Sequence, residues 1–315
     1  MLARGVTAAI REKGISWPWG NVLPLLQNAD LTLANLECVI GRKGNEFMPR
    51  RVFYFRADNK AADALSMAGI DFVSLANNHA IDFRGKGLME TRRLLDQKNI
   101  TFTGAGKDQQ QAQEIAFIDV KGIRVAMIAF ADHFKEYSAR KTKPGINYIT
   151  VGSDTTLVKD LISQAKKEGA DLIIFSMHWG PNMNRIPLPG FVEFAHAVID
   201  AGVDIFHGHS AHVFQGIEFY NKGVILYDTG DLVDDYYVYP KFRNDQQLLF
   251  QINVSAEQIE RVELIPLKIS AAQVNLAAGT DFEEIYQRIK DLSLPFGTEV
   301  SKQDGRLIAY GTNKK

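Results

Sequence analysis

The stretch "IDFVSLANNHAIDFRGKG" (residues 70–87) decides the fold, because a short apolar run in it ends abruptly in polar side chains. Residues 70–76 are apolar enough to predict a buried strand, and residues 87–99 have the periodicity of an amphipathic helix. Between them, "NNH" (77–79) offers three adjacent side chains that can form hydrogen bonds or bind a metal. The stretch therefore predicts one strand–loop–helix unit of an α/β protein, with either a helix cap or an active site in its loop.

Short apolar runs and helical patterns alternate in the same way along most of the chain. This alternation is typical of an α/β layered fold, and the β-rich segments after residue 209 favour two sheets packed together with helices outside. We interpret residues 1–270 as one domain and residues 271–315 as a C-terminal helix–strand appendage. The other main strands are predicted at 31–37, 171–179 and 203–209, and further helices at 59–69 and 190–202.

The composition is that of an ordinary globular protein and excludes some classes of partner. Of 315 residues, 46% are hydrophobic and 23% charged, which is enough apolar chain for a large core. Lys and Arg (36) nearly balance Asp and Glu (37), so the net charge of −1 gives no general attraction to nucleic acid or anionic membrane. The single cysteine, Cys38, excludes an intramolecular disulfide.

The sequence contains no targeting or membrane signal. The first residues, "MLARGVTAAIREKG" (1–14), lack the apolar core of a secretory signal. No run approaches the roughly 18 apolar residues of a membrane span. We therefore expect no transmembrane segment and a cytoplasmic location for the chain as given, or an extracytoplasmic one if an N-terminal segment is missing.

Polar groups follow four of the predicted strands. In α/β sheets the carboxyl ends of strands form ligand sites, so these groups are expected to converge. Carboxylate, amide and imidazole groups together suit a divalent metal of the Mn, Fe or Zn class, which makes water nucleophilic near neutral pH. The candidate residues are Glu37, Asn78, His178 and the three histidines of "HGHSAH" (207–212).

Structural interpretations of the same residues stay open. A single histidine at a strand end is more often a satisfied core or surface residue, and Asn77 or Asn78 could cap the following helix. We interpret Asn77 and Asp82 as turn and cap residues. The segment "HGHSAH" favours a metal or catalytic role, because it holds three of the seven histidines of the chain within six residues. His133 and His196 lie outside the clusters, and we interpret His196 as structural.

Weaker candidates could bind substrate or could be ordinary polar surface. Arg50, Arg51 and Arg56 could hold an anion, although a solvated strand face explains them as well. The acidic residues of "YDTGDLVDD" (227–235) could line the same cleft or belong to a polar loop. The weak candidates for substrate binding are Arg56, Asn182 and Asp231.

Several motifs together resemble a known family. "ADLTLANLE" (29–37), "SLANNHAIDF" (74–83), "SMHWGPN" (176–182) and "GHSAHVFQGIEFYNKGVILYDTGD" (208–231) are similar to successive motifs of the CapA/PgsA family. That family is named for capsule and poly-γ-glutamate synthesis and belongs to the calcineurin-like metallophosphoesterases. The resemblance runs from about residue 1 to 240, in the expected order.

The resemblance implies a four-layer α/β/β/α sandwich, with two mixed sheets between helices and a metal site at one edge. It also implies roles for individual residues. Glu37 resembles the carboxylate that bridges two metals, and Asn78 the amide ligand. His79 resembles the catalytic acid that meets the substrate. His178, His209 and His212 resemble the remaining metal ligands.

Two departures from the family pattern affect the expected metal site. The superfamily motif Gly-His-x-His is one residue longer here, so His207 with His209 is an alternative ligand pair, ranked below His209 with His212. Family members usually open with a strand that ends in Gly-Asp, and the chain as given resembles the segment just after it. We therefore expect a fold without its first strand. One metal position would be well formed, by Glu37, Asn78, His178 and His209, and a second, with only Glu37 and His212, would be impaired.

The resulting functional hypothesis is a metal-dependent hydrolase of phosphoester type, linked to capsule or poly-γ-glutamate metabolism. Its substrate would be a small molecule or an anionic polymer. Two alternatives stay open. The protein could be a non-catalytic accessory or binding protein for an anionic polymer, or a metal-dependent enzyme that acts on γ-glutamyl amide bonds.

Overall fold

Helices and strands alternate through the first two thirds of the chain, and strands dominate the last third. The structure, a computed structural model, describes residues 1–45, 52–153, 155–255, 259–303 and 306–311. In these ranges, three 3-10 helices lie at Trp17–Val22, Lys135–Tyr137 and Leu294–Phe296. Within the described ranges the α-helices are α1 (Arg4–Lys13), α2 (Leu23–Gln27), α3 (Lys60–Met67), α4 (Arg84–Asp96), α5 (Gln109–Ala112), α6 (Thr156–Lys167), α7 (Pro189–Asp200) and α8 (Gly279–Ser293).

Eighteen strands lie in the described ranges. The first nine are β1 (Leu33–Asn35), β2 (Val39–Ile40), β3 (Arg56–Ala57), β4 (Phe72–Ser74), β5 (Thr101–Thr103), β6 (Ala105–Gly106), β7 (Ala116–Val120), β8 (Ile123–Ala131) and β9 (Gly145–Ile146). The others are β10 (Leu172–His178), β11 (Ile205–His209), β12 (Ile217–Tyr220), β13 (Gly223–Leu226), β14 (Gln246–Val254), β15 (Ile259–Ser270), β16 (Gln273–Leu276), β17 (Thr298–Gln303) and β18 (Arg306–Gly311).

A six-stranded mixed sheet carries one half of the core. Its strand order is β12-β13-β11-β10-β8-β7, with β8, β10, β11 and β13 parallel and the two outer strands antiparallel. The central strand β10 is buried on both faces, as its continuous apolar run predicts. Phe175 packs with helices α6 and α7 on one face, whereas Ile174 packs toward the second sheet layer on the other.

The second sheet layer consists of two separate sheets. One is parallel, in the order β1-β4-β5, and the other is antiparallel, in the order β14-β15-β18-β17 with β16 also paired to β15. Side chains of β15 alternate between two cores: Val262 and Leu264 face the six-stranded sheet, and Leu267 and Ile269 face helices. The layer is thus apolar on both faces.

Helices α1, α3 and α4 cover the outer face of this second layer, and together with residues of β4 and β15 they form one core. The four layers are therefore helices, the six-stranded sheet, the divided second layer and helices. This α/β/β/α arrangement confirms the predicted fold class. The six-stranded sheet is mixed as expected, whereas the second layer divides into one parallel and one antiparallel sheet. No helix in the described ranges combines the length and the apolar character needed to span a membrane.

The divided second layer contains a cavity between its two sheets. In the described chain no strand precedes α1, and β1 and β14 are both outermost strands of their sheets. A cavity of about 620 Å³ lies against residues of both strands. An outermost strand of each of the two sheets therefore lines the same cavity.

The strands after residue 270 continue the sheet that begins before it. β16 pairs with residues 267–270 of β15, and β18 pairs with residues 262–264. Helix α8 contributes Ile285 and Ile289 to the core between the two sheet layers. The boundary between a main domain and an appendage at residue 270 stays a prediction.

Helix α4 begins earlier than its periodicity predicts. Residues 84–87 form its first turn, although their two glycines favour a turn before the helix. Close packing explains these glycines, because a Cβ on Gly85 would lie 2.6 Å from Pro144 and one on Gly87 would lie 2.7 Å from Phe83. Helix α4 therefore starts only a few residues after the "NNH" loop in the sequence.

We expect Phe175→Ala to lower the free energy of unfolding by about 3–5 kcal/mol, the usual cost of removing a buried phenylalanine side chain. The Phe175 ring is fully buried and lies 5.5 Å, centroid to centroid, from the rings of Phe130 and Phe206. Urea unfolding measures the change. Phe175→Leu keeps most of the volume, and equal losses for the two variants would contradict this account of the core.

Candidate metal centre

The carboxyl ends of two adjacent parallel strands bring His178 and His209 together. β10 and β11 pair in a register that sets His178 opposite His209. Their Nδ1 atoms lie 3.1 Å apart, and both side chains are buried. Strand register alone is enough to bring the two predicted residues into contact.

The surroundings of His178 and His209 keep both imidazoles neutral. Burial lowers the pKa of both rings well below the usual value, and the nearby His133 adds to the effect. Within the part of the chain that the structure describes, the buried Nε2 atom of His178 has no hydrogen-bond partner. A neutral imidazole with an unsatisfied buried nitrogen is costly by itself and suited to a metal ion.

A second group of possible ligands consists of Glu37, His212 and Asp231. Each offers one ligand atom, and these three atoms all lie within 4.8 Å of one another. His212 Nδ1 lies 3.1 Å from an Asp231 carboxylate oxygen. Burial by itself would lower the pKa of His212, but the Asp231 carboxylate raises it to about 10. The sequence predicted two of these three ligands here, and the fold adds Asp231 as a third.

The two groups lie in one site. Glu37, His209 and Asp231 all line the 620 Å³ cavity. Glu37 comes from the loop after β1 in the second sheet layer, whereas the histidines follow strands of the six-stranded sheet. The candidate centre therefore spans both inner layers of the sandwich.

The loop that presents His212 has a strained backbone. Ser210 and His212 have φ angles of +129° and +60°, values that residues with a side chain rarely adopt. Asp228 fixes this loop, because its carboxylate accepts hydrogen bonds of 2.8 Å from the backbone N–H groups of Ala211 and Gly230. Burial raises the pKa of Asp228 to about 7. Asp228 thus joins the histidine loop to the loop that carries Asp231.

His79 lies beside the second group and is oriented by two neighbours. Its Nδ1 lies 2.6 Å from an Asp82 carboxylate oxygen, and its ring stacks on Phe55 at 4.0 Å. The other ring nitrogen, Nε2, is 3.9 Å from a Glu37 carboxylate oxygen. The arrangement directs Nε2 toward the candidate metal centre.

Asp82 and Asn77 have larger roles than sequence reasoning assigned to them. The cap residue of α4 is Phe83, which makes no side-chain cap hydrogen bond, so Asp82 does not cap this helix and instead orients His79. The Asn77 side chain donates hydrogen bonds to Asn35 Oδ1 and to the Leu36 carbonyl, and accepts one from the His79 backbone N–H. It therefore connects the ends of β1 and β4. The amide oxygen of Asn78 is buried in the same loop, and its role as a ligand stays a prediction.

His133 belongs to the site, and placing it outside the clusters was wrong. Its ring lies 5.1 Å from that of His178, centroid to centroid, and its Nδ1 is 2.5 Å from an Asp132 carboxylate oxygen. The cause is the parallel pairing of β8 with β10, which sets Ala131 opposite His178. The sequence signal that could have identified His133 is its position just after the apolar run of β8.

His207 uses both of its ring nitrogens on hydroxyl groups. Nδ1 lies 3.1 Å from Ser176 Oγ and Nε2 lies 3.2 Å from Thr229 Oγ1. Burial lowers the pKa of His207 to about 4. His209 is also contacted at both ring nitrogens, by Ser176 Oγ at 3.0 Å and by His178 Nδ1 at 3.1 Å. The preference for His209 with His212 over the pair that contains His207 therefore stays a prediction.

The weak candidates for substrate binding lie in different surroundings. The Arg56 guanidinium donates to carbonyl groups of residues 42–44 and stacks on Phe83 at 3.5 Å, so it holds a loop together. Asn182 is exposed just after β10. Asp231 belongs to the ligand group. Arg50 and Arg51 lie outside the described residues.

Comparison of the sequence with known proteins identifies a matching family and relatives whose names refer to capsule or polyglutamine synthesis. Residues 1–236 match the family described as "Bacterial capsule synthesis protein PGA_cap". A probable polyglutamine synthesis accessory protein of Mycobacterium tuberculosis (strain ATCC 25618 / H37Rv) is 34% identical over 306 residues, which cover 93% of this chain and 80% of that protein. Capsule biosynthesis protein CapA of Bacillus anthracis is 29% identical over 315 residues, which cover 98% of this chain and 74% of that protein.

Among solved structures, the sulfate thiohydrolase SoxB of Thermus thermophilus aligns with 74% of this chain and 38% of its own, at 11% identity and a TM-score of 0.43. The family assignment rests on the sequence matches, which extend through all the strands and loops that carry the candidate ligands. The chain therefore belongs to the bacterial capsule synthesis protein family PGA_cap.

Proposed function

We propose that the protein is a metal-dependent hydrolase of phosphoester type that serves capsule or poly-γ-glutamate metabolism. The observation that carries this proposal is the presence of two ligand groups, His178 with His209 and Glu37 with His212 and Asp231, each of which contributes at least one residue to the lining of one cavity. The names of the relatives support the metabolic context.

The donor set suits divalent cations of the Mn, Fe or Zn class, because it combines imidazole nitrogens with carboxylate oxygens. We infer that Glu37, Asn78, His178 and His209 would hold one cation, and Glu37, His212 and Asp231 a second. Such a cation supplies Lewis acidity and a nucleophilic water near neutral pH. The buried, unsatisfied Nε2 of His178 supports this assignment.

His79 is the proposed proton donor to the leaving group. Asp82 accepts a hydrogen bond from His79 Nδ1, and in the doubly protonated ring the Nε2–H group would donate its proton to the leaving group, which leaves a neutral imidazole. Phe55 packs against one face of the ring and limits its rotation. In this proposal Asn78 is a metal ligand, His79 is the proton donor and Asp82 orients His79.

An accessory role in polymer synthesis is the second candidate. The name of the mycobacterial relative, an accessory protein, favours it. In that role the ligand groups would hold a structural ion, or none, and the protein would bind an anionic polymer without cleaving it. A third chemistry, cleavage of γ-glutamyl amide bonds, would use the same ligands to polarise a carbonyl group.

One set of assays distinguishes these candidates. The protein is stripped of metal with a chelator, reloaded with Mn²⁺, and tested with bis(p-nitrophenyl) phosphate, γ-glutamyl p-nitroanilide and poly-γ-glutamate. We expect metal-dependent turnover of the phosphodiester. Turnover of the anilide alone would support the amide hydrolase instead. Binding of poly-γ-glutamate without any turnover or stoichiometric metal would overturn the proposal in favour of the accessory role.

Asp231→Asn is expected to reduce bound metal from about two ions per chain to about one, since it removes the carboxylate that faces His212. Elemental analysis of the purified protein measures the ratio. Asp160→Asn, at an exposed position of α6, is the matched control and should leave the ratio unchanged. Unaltered metal content in Asp231→Asn would exclude Asp231 as a ligand.

A further inference from the structure

Two arginines, Arg185 and Arg288, come together from distant parts of the chain. Arg185 lies in the loop between β10 and α7, and Arg288 lies in α8. Both side chains are partly buried and partly open to solvent. Burial, together with the nearby positive charges of Arg185 and Arg243, lowers the pKa of Arg288 to about 10. The two guanidinium groups are therefore close enough to repel each other.

Neither guanidinium of this pair is held by a carboxylate in the part of the chain that the structure describes. The Arg185 guanidinium donates a hydrogen bond to the Phe242 carbonyl, and its buried Nε atom has no hydrogen-bond partner there. Arg288 donates a 2.6 Å hydrogen bond to the side-chain oxygen of Gln246. Both contacts use neutral acceptors, so the two positive charges stay without a counter-charge.

The acidic side chains of this region belong to a different arginine. They are Asp245, Asp281 and Glu284. Arg243 forms ion pairs of 2.5–3.2 Å with all three. The repulsion from Arg185 changes the pKa of Arg288 more than the attraction of either Glu284 or Asp245 does. The charge of the Arg185–Arg288 pair is therefore available for a ligand.

The loop that carries Arg185 is fixed to the loop that carries the candidate ligand His212. The Met183 backbone N–H donates a 2.8 Å hydrogen bond to the Ala211 carbonyl. Both segments follow strands of the six-stranded sheet, Met183 after β10 and Ala211 after β11. Arg185 therefore lies two residues beyond a direct contact with the histidine loop.

Arg288 is connected to the same histidine loop through β14. Gln246, which accepts the hydrogen bond from Arg288, precedes Gln247 in this strand. The Gln247 side chain donates a 3.0 Å hydrogen bond to the His212 carbonyl. Two adjacent residues of one strand thus connect Arg288 with the candidate metal centre, and the arginine pair lies beside that centre.

We propose that Arg185 and Arg288 form a binding site for an oxyanion group, a carboxylate or a phosphate, of an anionic chain that also reaches the candidate metal centre. Guanidinium groups match these anions in shape, because their N–H donors form a planar fork. A bound oxyanion would supply the counter-charge that the pair lacks. The inference rests on the proposed function only for the role of this chain as a substrate, since binding itself requires no turnover.

The test uses the full chain as purified, with penta-γ-glutamate and inorganic phosphate as probes. Isothermal titration calorimetry is carried out at about 0.15 M ionic strength, where exposed charges further apart than about 8 Å are largely screened. We expect saturable binding. Tighter binding of the peptide would identify a carboxylate chain as the ligand, and tighter binding of phosphate would identify a phosphate group.

Arg185→Gln and Arg288→Gln should each weaken binding of the tighter probe by about tenfold or more, because each removes a charge-assisted hydrogen bond to the oxyanion. Arg93→Gln, at an exposed position in the last turn of α4, removes the same charge elsewhere and should leave the affinity unchanged. Arg288→Lys keeps the charge without the planar fork and should lose less affinity than Arg288→Gln. If a glutamine variant does not fold, the lysine variant at the same position decides.

Three results would overturn the inference. They are the absence of binding by either probe, unchanged affinity in folded Arg185→Gln and Arg288→Gln, and an equal loss in Arg93→Gln. Arginines that only hold loops together would lower the melting temperature of the glutamine variants without changing the affinity. Turnover is not measured in this test, so a failure of the proposed hydrolase activity stays distinguishable from a failure of the anion site.

Discussion

His178→Ala should abolish metal binding at the first proposed position and lower kcat/KM for a phosphodiester by more than about 100-fold, the upper end for a residue that merely supports a ligand. His178 is fully buried at the end of the central strand β10, with its Nδ1 atom 3.1 Å from that of His209. Its loss would therefore remove a proposed ligand that no other described side chain on β10 can replace.

Metal content and activity must fall together for this expectation to hold. Elemental analysis and titration calorimetry with Mn²⁺ give the stoichiometry, and thermal unfolding shows whether the variant is folded. His196→Ala is the matched control, because His196 is a partly buried histidine that pairs with Glu218 on the far side of the six-stranded sheet. Full metal content in folded His178→Ala would remove His178 from the ligand set.

Asp82→Asn should lower kcat by about 100-fold or more while leaving metal content unchanged, as expected when the carboxylate that orients a catalytic histidine is neutralised. One Asp82 oxygen contacts His79 Nδ1 and also accepts a hydrogen bond from the Phe55 backbone N–H. An asparagine oxygen can still accept from the backbone, so the variant removes the charge and retains the anchor of the loop.

Asp82→Ala separates orientation from folding. It also leaves the buried Phe55 N–H group without its acceptor, which should cost about 1–3 kcal/mol of stability in addition to the loss of activity. A kcat loss in Asp82→Asn with a shifted pH profile and unchanged KM would identify Asp82 as a positioning residue. Equal activity of Asp82→Asn and the unaltered protein would contradict the role of His79 as proton donor.

Local patterns were sufficient to predict the layers and most of the strand ends. The apolar run before His178 and the run before "HGHSAH" are each long enough to predict a buried strand. The rule that parallel strands present their carboxyl ends together then predicts the meeting of His178 and His209, and the structure brings these residues together.

The site contacts that the sequence could not predict depend on pairing between segments that are far apart in the chain. Asp231 approaches His212 only because the loop after β13 folds back on the histidine loop through Asp228 and Gln247. His133 approaches His178 only through the pairing of β8 with β10. Asp82 is close in sequence to His79, but its position before the predicted helix suggested a helix cap. The structure instead places its carboxylate against His79 Nδ1.

The candidate centre draws ligands from both inner layers of the sandwich, and this has a thermodynamic consequence. A cation bound by Glu37 on one side and by His209 or His212 on the other would act as a cross-link between the two layers. Binding to the folded state alone adds about 2.7 kcal/mol of stability when free metal is 100 times its dissociation constant. The melting temperature of this protein would then report the supply of metal in its surroundings, so that starvation for the ion would first appear as loss of the folded protein itself.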